Sequence, residues 1–336
     1  MSAQVEAFDD LDAVARDAGG ALDRAARPEM FERLDWFRLV HSLTPPPGKL
    51  LTLRARNDVA RGWLFLSKEG AKAAPLSNWY SLRCGPVIEG AQSESVLDAL
   101  VEGLRRAGVG ELALSPLGDA DGLEAALKRK GWVTRRSQST VNWRVRTAGL
   151  SFEGYWAARP SRLRNTAKRR TKAAGLELRV HAGFDPSAWA DYETVYEHSW
   201  KPAEGSPPLM RRFAEAEGAA GTLRLGLAYR DGAPVAAQLW TVENGIATIH
   251  KLAYREDAKQ HSPGTVLSVE MFRRAIDEDK VEWIDFGIGD DGYKAEWMEE
   301  AKPLYALVAF DARSWRGLLA LGRAAGAKLV GRLRSR

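Results

Sequence analysis

Residues 261–297 read HSPGTVLSVEMFRRAIDEDKVEWIDFGIGDDGYKAEW, and the order of signals within them decides the fold. Ser262 suits an N-cap, Pro263 suits the first helical position, and Val266, Leu267, Val269, Met271, Phe272 and Ile276 supply an apolar side for a helix. The amino end of such a helix presents unpaired amides and the positive end of its dipole. It therefore favours a phosphate, and Gly264 lets that ligand approach the backbone closely. Residues 281–288 follow as a short apolar strand that contains Asp285. Gly287, Gly289 and Gly292 then interleave with Asp290 and Asp291 in a turn that ends at Tyr293 and Lys294. A charge beside a buried strand end is costly unless it has a partner or a task.

Working outward, residues 223–229, 235–242 and 246–254 read as successive strands, with Asp231-Gly232 and Asn244-Gly245 as hairpin turns. An antiparallel meander thus feeds the Ser-Pro-Gly helix. The amino-terminal half repeats the order, with helices over 97–107 and 122–130 and strands over 111–117 and 139–146. Glu111 and Glu282 open comparable strands, and Gly118-Asp119 and Gly289-Asp290 close them at the same offset of 171 residues. Self-similarity at so long a period implies duplicated architecture. In the first copy Ser115-Pro116 replaces Asp285-Phe286 and no Tyr-Lys pair follows, so ligand chemistry is expected in the second copy only.

The segment resembles the carboxyl-terminal half of the CelD-type acetyltransferase-like domain, a branch of the GNAT superfamily related to the Fem-type peptidoglycan aminoacyltransferases. The matching residues are Ser262-Pro263-Gly264, Asp285-Phe286-Gly287, Gly289-Asp290 and Tyr293-Lys294, with the basic run Arg159-Pro160-Ser161-Arg162-Leu163-Arg164-Asn165 upstream. The resemblance spans residues 150–310. It implies an α/β (α+β) fold of tandem acetyltransferase-like lobes with mixed, mostly antiparallel sheets, in which a splayed strand pair admits the thioester arm of an acyl carrier. It also implies acetyl-CoA or another acyl-CoA as cosubstrate, held by Gln260, His261, Ser262, Pro263, Gly264 and Thr265, and no metal. The chain departs from the usual Gln/Arg-x-x-Gly-x-Gly/Ala loop, reading Lys259-Gln260-His261-Ser262-Pro263-Gly264 in its place. The lobes are expected over residues 31–148 (degenerate) and 149–311 (ligand-binding), between an acidic, Ala-rich extension over 1–30 and a basic helix over 312–336.

Acyl transfer to an amine needs a neutral nucleophile, a polarised carbonyl and a proton for the leaving thiolate. Asp285 is a candidate to accept the amine proton, with a salt-bridged structural acid as the alternative. His250, on the preceding strand, is a second candidate, against a satisfied core histidine. Tyr293 is the candidate donor to the thiolate, as in many members of the superfamily, or else it only packs. Lys294 reads as a binder of phosphate or carboxylate, because a lysine needs burial to act as a base near neutral pH. Asp290, Arg164 and Arg169 complete the expected substrate contacts.

Composition bounds the remainder. With 336 residues and 45% apolar content the chain can bury two cores. A single cysteine, Cys84, excludes an intramolecular disulfide and a thiolate metal cluster, and the five histidines lack ligand spacing. No apolar run reaches the roughly 18–20 residues that span a bilayer, and the acidic start lacks a signal-peptide pattern. A cytoplasmic protein is the expectation.

The net charge of +5 is concentrated. From Ala312 onward the charged residues are Arg313, Arg316, Arg323, Lys328, Arg332, Arg334 and Arg336, and Trp315, Leu318, Leu319, Ala325, Leu329 and Leu333 fall near helical spacing. Such a helix either packs on its own domain or lies on an anionic membrane. A second cluster, Arg159, Arg162, Arg164, Lys168, Arg169, Arg170 and Lys172, surrounds a helix with like charge. A phosphate-bearing substrate, nucleic acid or acids elsewhere would relieve it. Two other functions remain open: a Fem-like transferase taking aminoacyl-tRNA to a cell-wall precursor, and a non-catalytic accessory protein of envelope or polysaccharide export. The G-I-G-D-D-G run has neither dinucleotide spacing nor a P-loop lysine.

Overall fold

The computed structural model describes residues 3–91, 94–173 and 175–334. It divides into two compact units, one running through Thr140 and resuming at Pro303, the other formed by Val141–Lys302.

The first unit opens with β1 (Gln4–Phe8), α1 (Leu11–Ala18), α2 (Leu34–Leu43), β2 (Lys49–Arg56), β3 (Ala60–Glu69), β4 (Lys72–Pro75) and β5 (Val87–Gly90). It continues through α3 (Glu94–Arg106), β6 (Glu111–Leu117), α4 (Asp121–Arg129) and the start of β7 (Trp132–Arg146). β1 to β4 form an antiparallel meander, β5 pairs with β3, and β4 joins β6 in parallel only at Lys72↔Glu111 and Ala73↔Leu112. The α3 residues Leu97, Leu100 and Leu104 pack on Leu53, Leu64 and Leu112.

Residues 3–30 are not an extension. Val5 lies opposite Ala55 in the β1–β2 ladder, Asp10 accepts the amides of Asp12 and Ala13 at 3.0 Å each to cap α1, and Leu11, Val14 and Ala18 are buried. The acids of this stretch answer a buried cation: Arg54 donates to Asp17 at 2.6 and 2.9 Å and to Glu6 at 2.7 Å.

The second unit takes the end of β7, then α5 (Phe152–Ala157), α6 (Ser161–Ala173), β8 (Glu177–His181), α7 (Pro186–Glu197) and α8 (Pro207–Ala219). β9 (Leu223–Arg230), β10 (Ala233–Glu243), β11 (Ile246–Tyr254), α9 (Pro263–Arg273) and β12 (Trp283–Ile288) follow. The meander β8–β9–β10–β11 is antiparallel, β11 meets β12 in parallel, and β12 pairs antiparallel with residues 142–146 of β7. Leu267, Met271 and Phe272 of α9 are buried with Trp240, Ile284 and Trp297.

The chain ends with β13 (Glu300–Asp311) and α10 (Trp315–Arg334). Residues 303–311 were expected in the second lobe, and the structure corrects this. Phe310 pairs with Glu111 and Tyr305 with Leu117 of β6, and Leu307 and Ala309 are fully buried in the first unit's core. β13 thus closes the first sheet from the far end of the chain. Among the described residues no helix is long and apolar enough to cross a membrane.

Candidate active site

The site of the second unit begins where a ladder stops. β11 and β12 are paired at Ile246↔Trp283, Ala247↔Ile284 and Thr248↔Asp285, after which β11 runs on to Tyr254 along β10 and β12 to Ile288 along β7. The register slips just past that point. Leu239 faces Lys251 and Trp240 faces Ile249, so His250 is the extra residue of a β-bulge that turns β11 away from its neighbour. A wedge opens between the two strands.

The amino end of α9 follows this wedge through a 3-10 turn over Glu256–His261. Ser262 stands at the N-cap, but in the left-handed conformation (φ 51°), and its side chain makes no capping bond, contrary to the sequence expectation. There is also no acid in the first turn. The amides of Gly264 and Thr265 therefore have no side-chain acceptor of their own helix cap, which suits an anion. Gly264 is buried under Tyr254, and a Cβ there would lie 3.1 Å from the Tyr254 ring. Its carbonyl accepts Gln238 Nε2 at 3.3 Å. Pro263 is buried, Thr265 half-buried and Gln260 exposed, while the His261 ring is held by Arg230.

Beyond β12 the predicted residues separate into those that hold the turn and those that face outward. Asp285 is buried, with Oδ1 accepting the Gly287 amide at 2.8 Å and Oδ2 accepting Asn142 Nδ2 at 3.0 Å. Both oxygens are engaged in shaping the strand end, where Gly287 is left-handed (φ 70°). Lys294 turns inward as well, donating to the Ile288 carbonyl at 2.7 Å and lying 3.2 Å from Asp291. Both contacts lie within the turn. Asp290 is exposed. Tyr293 packs its ring edge-on to Phe286 at 5.7 Å and remains 46% exposed. Burial on its inner side, with Asp291 and Tyr254 nearby, pushes its phenol up to about 12.

His250 is half-buried. Its Nε2 lies 2.9 Å from Thr241 Oγ1, its ring stands edge-on to Phe213 at 4.9 Å, and burial pushes its pKa down to about 3. An imidazole so weakly basic is a poor acceptor for an amine proton. Arg164 donates to the Arg159 carbonyl at 3.1 Å, while Arg169 is exposed with Arg162, Lys168 and Lys172 on α6, which packs against α9 through Leu163 and Ala167.

The sequence reading missed a cavity of about 390 Å³ between α7 and α8. Trp189, Tyr192, Glu193, Tyr196 and Glu197 line it, a stripe at helical spacing that was visible in the sequence as alternating aromatic and acidic positions. The Trp189 indole N–H is buried without a partner. Lys201 and Glu204 complete the wall. Glu204 receives Lys251, from the diverging part of β11, at 2.9 Å, which ties the cavity to the wedge. Burial, reinforced by the charge of Lys251, pushes the Lys201 ammonium down to about 8.

A mixed sheet that splays after a bulged strand, with an open helix start beside the gap, is a fold of the GNAT type. Residues 157–295 match the family described as Acetyltransferase (GNAT) domain. No curated protein matches the chain. Among solved structures, the fold is similar to that of a tandem GNAT protein from the clavulanic acid biosynthesis pathway, at 12% identity and a TM-score of 0.51, covering 91% of this chain and 98% of that one. It is also similar to L-PGS from Bacillus licheniformis, at 12% identity and a TM-score of 0.52, covering 91% and 97%. FemX is similar at 9% identity and a TM-score of 0.52, covering 82% and 95%. At these identities the likeness is one of fold: tandem GNAT lobes of mixed α/β structure.

Proposed function

We propose that the second unit transfers an acyl group, acetyl in the first instance, from acyl-CoA to a primary amine held in the α7–α8 cavity. The observation that carries this reading is the wedge between β11 and β12, which has an acid-free, uncapped helix start on one side and an aromatic, carboxylate-bearing cavity on the other. Gly264 and Thr265, with Gln260 and His261 beside them, would hold the phosphates, and the bound thioester supplies an activated acyl group.

The chain's own residues then divide the work. Glu193 and Glu197, one turn apart and without an ion pair among the described residues, draw an ammonium group to the cavity mouth. The ammonium must lose a proton before the nitrogen can attack. Lys201, with its pKa near 8, is roughly one-tenth neutral at pH 7 and is placed to take that proton directly or through water. As the C–N bond forms the nitrogen gives up its second proton to solvent, and as the C–S bond breaks the Tyr293 phenol, fully protonated at neutral pH, gives its proton to the sulfur. Solvent then restores both groups. Asp285 is left with the turn it holds.

Acetyl transfer to a panel of primary amines, followed by release of free thiol, tests the reading. Turnover is expected in the native protein, with a rate that rises through about pH 8 and loses that limb in Lys201→Met. No thiol release with any amine, in a protein that also fails to bind CoA, would remove it.

One observation favours the second reading, a donor of the aminoacyl-tRNA kind. Arg162, Lys168, Arg169 and Lys172 of α6 are exposed and make no ion pair among the described residues, so a polyanion would relieve their repulsion. Protection of tRNA by the protein, coupled to absence of CoA binding, would favour it.

A further inference from the structure

The helix α10 carries its apolar side chains on the wrong face for a core element. Its first turn is fastened to the first unit: Gly317 sits so near the Asp311 carbonyl that a Cβ would lie 2.1 Å from the oxygen, and a Cβ on Gly110 would lie 2.8 Å from the Gly317 amide. Beyond this fastening the inner face offers Leu321, Ala324 and Ala325, which roof a cavity of about 720 Å³ over Val133, Val308 and Phe310. The large apolar groups point the other way. Trp315 is 68% exposed, Leu318 52% and Leu319 51%. They fall at i, i+3 and i+4, so they share one outward stripe, which continues through exposed Gly322 and Gly326.

The charges beside this stripe have one sign. No acidic residue occurs from Ala312 to the end of the sequence, Arg316 lies over the Trp315 ring at 5.3 Å, and Arg323 is exposed about two turns further on. We propose that α10 is a membrane-surface helix that lays Trp315, Leu318 and Leu319 into the interface of an anionic bilayer, with its arginines at the level of the lipid phosphates. Tryptophan at the polar–apolar boundary, leucine below it and arginine above it match the layering of that interface. A second copy of the chain is the poorer occupant. A self-complementary pairing through this stripe would bring the arginines of two copies together with no acid on the helix to answer them. The inference is independent of the acyl-transfer reading, because every residue it uses lies in the first unit.

The test is flotation of the full-length protein with vesicles of phosphatidylcholine alone and of phosphatidylcholine mixed with phosphatidylglycerol. Binding to the mixed vesicles only, weakening as salt is raised, is expected. The triple variant W315S/L318S/L319S should lose about tenfold or more of that binding. R316Q/R323Q should lose roughly fivefold per arginine while keeping any residual attraction to apolar lipid. Circular dichroism and thermal unfolding of each variant show that the first unit is intact; if the triple variant unfolds, the arginine pair, which lies outside the core, decides alone. Absence of binding to anionic vesicles, equal binding to both compositions, or a dimer in sedimentation velocity that the triple variant dissociates would overturn the proposal.

Discussion

The two units share a sheet plan and differ in how they treat its gap. In the first, β4 leaves β6 after two residue pairs, but the chain comes back: Cys84 donates its amide to the Pro116 carbonyl at 2.8 Å and bridges to Leu117, with Leu76 and Tyr80 buried beside it. Burial pushes the Cys84 thiol up to about 12. The gap is stopped by the protein itself. The helix after it, α3, also begins with Glu94 in its first turn, so the dipole that would attract a phosphate is already answered. In the second unit the equivalent strands separate after three residue pairs, the isolated bridge there joins Ser199 to Arg255 past the end of β11, and α9 starts without an acid. On the proposed reading, one architecture serves as a ligand site or a filled core according to a loop and one carboxylate, so that function belongs to the site and not to the fold.

The largest expected effect comes from giving the second unit the first unit's charge. Glutamate at position 265 is favourable for the helix but repels phosphate, so Thr265→Glu should keep or raise the unfolding temperature and weaken CoA binding by about a hundredfold. Titration calorimetry measures it. The reciprocal Glu94→Gln should create no CoA binding in the first unit, because the Cys84 segment still fills the gap; new stoichiometry there would break the comparison.

Next in size is Lys201→Met, for which a fall in kcat of about a hundredfold at pH 7 is expected, within the range of lost general-base catalysis. Asp285→Asn should do far less. Its two hydrogen bonds can be remade if Asn142 rotates its amide, so stability should drop by about 1 kcal/mol and turnover by less than about threefold. A loss comparable to that of Lys201→Met would return Asp285 to the chemistry.

The smallest effect is a slope. The unfolded chain protonates His250 near 6.5, whereas the folded imidazole resists until about 3. The unfolded state therefore binds more protons between these values, and stability falls as pH drops through that window. Denaturant unfolding of His250→Phe across the same window should show a shallower fall than the native protein.

The sequence made the second unit's frame legible because the signals there are local. Hairpin glycines, strand alternation and a proline-led helix place β9 to β12 within a residue or two of their observed bounds. It failed where partners are distant. An acidic start looks like a detached extension until Arg54 is seen beneath it, and an apolar run such as Leu304 to Phe310 announces a strand without saying which sheet receives it. The polar first half of β7 has no alternation to read, yet its backbone is paired. The candidate site divides the same way. A phosphate-ready helix start is written in Ser262-Pro263-Gly264, but whether the Lys294 ammonium faces a ligand or the Ile288 carbonyl depends on how the turn closes. Lys201 acquires its lowered pKa only from burial beside Lys251.

Hydrogen–deuterium exchange of the full chain with and without CoA tests the contrast between the units most directly. Protection of residues 256–268 at the α9 start, with no change over residues 80–91 and 94–98 of the first unit, is the result that this account predicts. Protection of the first unit's segment, or no protection of either, would contradict it.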